Sequence, residues 1–316
     1  MSKLQTRIHD LINETLPQPG QGETSKRFKR LFEMGREDLS LAKIMEAHWD
    51  AIAILQEAQH SVLPDTLYAV WASEAPNQVL EMIEDKDGFK ISGTKAFCSG
   101  AGLVDCALVT IQKPKSQLVL LDFKNHPNKF SYSTDLWQTS AFSATQTATI
   151  EVQEIPVTPE DCIGVKNWYT ERAGFWQGAV NPAACWAGGA AGLLDYAMSN
   201  KRHDAHTLAH LGAMQSNIWT CEAILEKAGH AIDQYPDISE LAQKNGLNAR
   251  HQIEQLCSDT LRRFARAYGP FPLACDSEIS RRYIELDLFL RQCHAERDLE
   301  SLGQLLKMPP LSYEIE

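Results

Sequence analysis

The hydrophobic period of the chain changes twice along its length, and this limits the fold more than any single motif. Up to residue 60, apolar side chains recur at helical spacing: Leu4, Ile8, Leu11 and Ile12, then Ile44, Ala47, Ala51, Ile52 and Leu55. The second set predicts a helix over 41–59 capped by Asp38 or Ser40. It follows a basic amphipathic piece over 26–34 that Gly35 ends. His48 and Trp49 in this helix read as packing residues. From 61 to 160 short alternating runs take over, and near Cys162 the 3.6 period returns and persists. A strand pattern does not substitute for a helix pattern. The order therefore predicts an α+β chain, with helices over 1–60, a β unit over 61–160 and helices over 161–316.

The centre of the β unit is KDGFKISGTKAFCSGAGLVDCALVTI, Lys86 to Ile111. Asp87-Gly88 is a two-residue hairpin turn, since glycine accepts positive φ without a Cβ clash. Phe89 to Gly93 alternates as a half-buried strand that Gly93 closes, and Thr94 to Gly100 opens another. Val104 to Ile111 and Gln117 to Phe123 read as strands, as does Leu67 to Glu74 before them, and Thr147 to Val152 alternates. Phe97, Cys98 and Ser99 place an aromatic, a thiol and a hydroxyl side by side, which suits either β packing or a ligand surface.

Four long helices with short connections are expected after Cys162: one reaching Asn200, then 205–235, 238–267 and 278–306, with Tyr268-Gly269-Pro270 as a stop. The first contains Gly188, Gly189 and Gly192. Each glycine costs roughly 1 kcal/mol against alanine in a helix, so the run marks close approach of another helix or of a ligand. It is no phosphate loop, because no strand precedes it and no Lys-Ser/Thr pair follows.

Composition removes several classes. The net charge of −11 argues against nucleic acid as a partner, which needs a basic stripe. No apolar run is long enough to span a bilayer and the N-terminus has no continuous apolar h-region, so a cytoplasmic protein with no membrane association is expected. The eight cysteines form no CxxC pair or cluster, which predicts reduced thiols and no metal site.

The order DG, strand, SGTKAFCSGAG, strand, Asp resembles the middle domain of the acyl-CoA dehydrogenase superfamily of flavoproteins. The phrase MGREDLSLAKIMEAHWDAIAIL is similar to the last helices of that superfamily's N-terminal domain. The resemblance spans nearly the whole chain. It implies a short N-terminal helical domain, a middle β-barrel and a C-terminal four-helix bundle. It also implies FAD as cofactor, with Phe97 stacked on the ring, Ser99 near N5, and Trp71 and Ser73 along the pyrimidine side and linker. Tyr268 and Gly269 take the place of a turn that reaches the adenine half of a neighbouring subunit's FAD, which implies a homodimer or homotetramer. Arg202 and Gln215 are nearest to the phosphate-linked positions. Ser73-Glu74 matches the superfamily's exit loop, Ala75-Pro76-Asn77 departs from it and its Gly-Ser-Asp is missing, and Phe142 lies near where it has an arginine.

The activity so implied is oxidation of an acyl-CoA or acyl-carrier thioester, with proton abstraction at Cα, hydride transfer from Cβ to flavin and an electron acceptor downstream. Glu296 falls beside the position of the catalytic base, although the usual Gly-Thr is absent and helical periodicity runs through the segment. The other reading of Glu296 is a solvated charge paired along a helix face. His294 keeps open a flavin-dependent monooxygenase of the same fold. The short N-terminal domain and the missing base leave a third reading, a non-catalytic FAD-binding or structural subunit.

Overall fold

The computed structural model describes residues 2–86, 88–113 and 116–307. Three helices open the chain: α1 (Lys3–Leu11), α2 (Thr24–Glu37) and α3 (Leu39–Glu57). Asp38 alone joins α2 to α3, and its Oδ1 caps α3 by accepting the Leu41 N–H at 2.9 Å. His48 and Trp49 are buried, as expected of packing residues. His48 accepts the Tyr68 N–H through Nδ1 at 3.1 Å, and Trp49 donates Nε1–H to Glu14 O at 2.9 Å.

Eight strands follow: β1 (Tyr68–Trp71), β2 (Leu80–Asp85), β3 (Gly88–Cys98), β4 (Cys106–Ile111), β5 (Gln117–Asp122), β6 (Phe130–Ser133), β7 (Ala148–Val157) and β8 (Cys162–Ile163). They do not close into the expected barrel. They form two four-stranded sheets, ordered β1-β4-β5-β8 and β2-β3-β7-β6, with β1 and β4 parallel and the other pairs antiparallel. The expected strand break at Gly93 is instead a bend within β3, where the register with β7 slips between Ile91 and Gly93. Gly93 has φ 123°, and a Cβ there would lie 2.2 Å from Val79 O. Asp87 of the anticipated hairpin lies outside the described residues; its flanks, Asp85 and Gly88, are paired.

The helices after β8 are α4 (Trp168–Glu171), α5 (Ala173–Gly178), α6 (Val180–Ser199), α7 (Ala205–Gln234), α8 (Ser239–Tyr268), α9 (Pro270–Cys275), α10 (Ser277–Leu290) and α11 (Glu296–Lys307). The helix expected over 278–306 is thus two helices. Ala295 adopts φ 50°, the His294 N–H turns to Asp298 Oδ2 at 3.1 Å, and Arg250 donates to Gln292 O at 2.6 Å. Apolar residues on both sides of the turn keep the same period, so the break leaves no mark in the pattern.

Glycines bring α2 and α6 into backbone contact. A Cβ on Gly35 would sit 2.3 Å from Cys185 O, and one on Gly188 would sit 2.0 Å from Phe32 O. Gly189 makes room for Leu39 and Gly192 for the Arg282 guanidinium, which donates to Gly35 O at 3.1 Å and Glu37 O at 2.9 Å, capping α2. Of the two readings of the glycine run, helix packing is the one realised. A second tie is Glu285 of α10, whose buried carboxylate accepts from Ser40 Oγ at 2.8 Å, the Phe142 N–H at 3.2 Å and Arg281 at 3.0 Å.

Three stability outcomes follow, two from these contacts and one from an open position. Gly188→Ala should lower unfolding free energy by about 1–3 kcal/mol through overpacking, whereas Gly212→Ala, on α7 with open space at its Cβ, should raise it by about 0.5–1 kcal/mol. Glu285→Ala should lose about 1–3 kcal/mol, because it strands the Phe142 N–H inside the protein. Urea denaturation of the three variants checks all of these; a Gly188→Ala protein as stable as wild type would contradict the backbone contact.

Candidate functional site

A cavity of about 470 Å³ opens where α3, strand ends of both sheets and the end of α10 meet. Lys43 and Glu46 of α3 form one wall, and Val70, Trp71 and Ser73 at the end of β1 a second. Phe97 and Ser99 at the end of β3, with Trp137, Phe142 and Thr147, form a third. Leu288, Phe289, Arg291 and Gln292 close it.

The β3 wall is built by a second register slip, between Lys95 and Cys98. Phe97 sits there at φ 58°, a left-handed conformation rarely used by an aromatic residue. The slip buries Ala96 and Cys98 on either side and leaves Phe97 55% exposed. Lys95 anchors the segment from beneath. Its ammonium is buried and donates to Thr110 O at 3.3 Å and Thr110 Oγ1 at 3.0 Å, and burial lowers its pKa. Trp71 donates Nε1–H to Ser99 O at 2.9 Å, which fixes β1 to the same turn.

Hydroxyls form a row along this wall. Thr145 Oγ1 donates to Phe142 O at 2.8 Å, and it lies 2.9 Å from Thr147 Oγ1, itself 3.0 Å from Ser99 Oγ. With the Thr145 proton committed to Phe142 O, the row runs from Ser99 through Thr147 to Thr145, and Ser99 Oγ keeps lone pairs free on the cavity side. At the end of this row, Phe142 (φ 57°) packs edge-on to Phe289 at 5.4 Å, with Lys43 Nζ 5.3 and 4.8 Å from the two ring centres.

Trp71, Ser73, Phe97 and Ser99, selected from the sequence, therefore converge on one cavity. The other selected residues lie elsewhere. Glu296 and His294 are exposed around the start of α11, with His294 Nδ1 3.3 Å from Asp298 Oδ1. The helix break at Arg291 turns them away and presents Arg291 and Gln292 in their place. Tyr268 is buried among Tyr196 and Phe264, its hydroxyl donating to Ala197 O at 3.2 Å. Gly269 has φ 67° and nothing near its Cβ position; Arg202 and Gln215 are exposed.

The sequence reading missed Lys43 and Glu46. Lys43, Glu46 and Asp50 stand three and four apart on one face of α3, a spacing that by itself reads as a solvated helix face. Burial, with Asp50 adding to it, pushes the Glu46 carboxyl up to about 8, against the pull of Lys43, Arg27 and Arg250. Burial lowers Lys43 and raises Asp50, whose Oδ1 accepts from Asn181 at 3.2 Å. Asp50 also borders a second cavity of about 320 Å³, beside the ion pair of Glu57 and Arg172. Among the described residues no group of side chains is placed to hold a metal ion, and no helix is long and apolar enough to cross a membrane.

No protein-family model and no curated protein matches the chain. Solved structures do. TdsC, a dibenzothiophene monooxygenase from Paenibacillus sp. A11-2, in complex with FMN and indole, superposes with a TM-score of 0.78 at 16% identity, covering 90% of this chain and 83% of that one. A nitrososynthase from Micromonospora carbonacea var. africana gives 0.79 at 15% identity, over 96% and 89% of the two chains. Butyryl-CoA dehydrogenase from Megasphaera elsdenii gives 0.76 at 14%, over 97% and 98%. At this coverage, the fold of the chain is that of these three enzymes, the acyl-CoA dehydrogenase fold.

Proposed function

We propose that the chain is a flavin-dependent oxidoreductase whose flavin ring lies in the 470 Å³ cavity. The observation that carries this reading is Phe97, held in a left-handed backbone with its ring exposed beside Trp71 and the Ser99–Thr147 hydroxyls. A flat aromatic surface next to a polar edge fits an isoalloxazine, which is itself flat with a polar rim. The FMN in TdsC supports the same reading. Such a flavin supplies two-electron chemistry, taking hydride from a substrate or, when reduced, meeting dioxygen. The chain's part is to stack Phe97 on the ring, set Ser99 Oγ at its edge, and exclude water with Trp137, Phe142 and Phe289.

The reaction favoured is oxygenation of a compact polar substrate. Lys43 and Glu46 make one wall of the cavity polar, and an acyl chain laid over them would bury both without hydrogen-bond partners. Glu296, aligned with the base of an acyl-CoA dehydrogenase, is outside the cavity. Oxidation of an acyl thioester is the second reading, supported by the extent of the match to butyryl-CoA dehydrogenase. FMN and FAD both remain within the reading. None of Tyr268, Gly269, Arg202 and Gln215 lines the cavity, so the phosphate end needs other donors. A second copy of the chain in a homodimer or homotetramer supplies them in this reading, and exposed Trp219 and Phe271 on the helical side are apolar surface for such a contact.

Purified protein mixed with FMN or FAD should show a perturbed flavin spectrum and a raised melting temperature. Phe97→Ala should weaken the affinity by about 2- to 10-fold, the 0.5–1.5 kcal/mol of an aromatic stack. If neither flavin binds the wild-type protein, the reading fails. Reduced, loaded protein given oxygen then separates the two reactions: a polar substrate should change the reoxidation course, whereas acyl thioesters reducing the oxidised protein would favour the second.

A further inference from the structure

We propose that Glu46 is the acid–base residue of the cavity, with Asp50 behind it as a positioning residue, and that the substrate is a compact polar molecule carrying an ionisable N–H or O–H. The proposal rests on the flavin reading above. In the step, the substrate X–H bond breaks and its electron pair stays on X. The proton forms an O–H bond with a carboxylate oxygen of ionised Glu46.

Geometry selects this residue. Glu46 is the sole carboxyl among the described residues lining the cavity. No hydrogen bond or ion pair to it is formed by any described residue, in contrast to Glu285, which is saturated by Ser40, the Phe142 N–H and Arg281. Half-buried at the cavity wall and left without a partner, the Glu46 carboxyl is available to a ligand as Glu285 is not. Two further polar groups nearby lack partners although their side chains are at most 1% exposed: Arg27 Nη2 and the Trp186 Nε1–H. Arg27 is in electrostatic reach of both Glu46 and Asp50, and Trp186 lies under the Arg250 guanidinium at 4.9 Å. The interior behind Glu46 is therefore provisioned for polar contacts that the chain does not make with itself. Asp50, one turn along α3, carries this polar face to the second cavity.

The groups facing Glu46 are Asp50 and Lys43 on its own helix, Arg27 on α2, Tyr169 on α4, Cys185 on α6, Arg250 on α8 and Arg291 after α10. Burial and the like charge of Asp50 outweigh the cations and hold Glu46 near 8, where a carboxyl exchanges protons close to neutral pH. The stability consequence has a definite sign. Folded Glu46 holds its proton more tightly than the unfolded chain does. Its contribution is full below the ordinary 4.5 and is lost as pH rises towards 8. Glu46→Gln keeps the shape without the charge, so it should fold, and it should melt above wild type in the alkaline range.

The test has two arms. In flavin-free protein labelled with ¹³C in its glutamate carboxyls, one resonance should titrate near pH 8. It should be missing from Glu46→Gln and shift to lower pH in Asp50→Asn. A high midpoint that survives in Glu46→Gln belongs to another residue and overturns the proposal. In protein saturated with FMN, the visible spectrum of the bound flavin should change with the same midpoint in wild type and stay flat in Glu46→Gln. A merely structural carboxyl would titrate without moving that spectrum, and a flat wild-type spectrum with FMN bound overturns this proposal alone. Failure of the wild-type protein to bind FMN or FAD overturns the flavin reading and this proposal together.

Discussion

The backbone contact between α2 and α6 is the constraint on which the rest of the structure depends. Two helices approach this closely only where no Cβ intervenes, and Gly35 and Gly188 provide that at the crossing. Arg282 then reaches over Gly192 to take the last carbonyls of α2. Because α3 begins one residue after α2, fixing α2 also fixes the rotation of α3. That rotation turns Lys43, Glu46 and Asp50 inwards rather than to solvent. An interior packed to crystal-like density transmits such a constraint with little slack.

The opposite side of the cavity is held by strain offset elsewhere. A non-glycine residue in the left-handed region costs of order 1–2 kcal/mol, and Phe97 and Phe142 both adopt it within this one wall. Each is retained by a buried polar contact. Buried Lys95 grips Thr110 under Phe97, and Glu285 grips the Phe142 N–H. Two aromatic rings are thereby presented to a cavity at angles that a regular strand would not allow.

The inner face of α3 brings charge into a region that hydrophobic packing alone would fill more cheaply. Taking ions out of water costs several kcal/mol each, and pairing seldom returns more than that. Here the carboxylates of Glu46, Asp50 and Glu57 are set among Lys43, Arg27, Arg172 and Arg250. Burial raises all three carboxyls against the pull of these four cations, and individual groups are left unpartnered. Such a cluster contributes little to stability for its size.

The sequence by itself determined the order of helices, sheets and helices, because the hydrophobic period is local and survives without a structure. It also determined the motif SGTKAFCSG and, through it, Trp71, Ser73, Phe97 and Ser99, since these lie within or beside strands whose ends are marked by glycine and whose neighbours are near in sequence. What it did not contain was any signal for events set by distant partners. The α10–α11 break depends on Arg250, some forty residues away and on another helix, so Glu296 and His294 looked continuous with a site from which they are turned away. Two open sheets stood where a barrel was expected, because closure depends on edges meeting in space rather than on alternation within a strand. The inward face of α3 was likewise decided by glycines on α2 and α6. Charge at positions 43, 46 and 50 reads as a solvated face until the packing of neighbouring helices shows which side of the helix is inside.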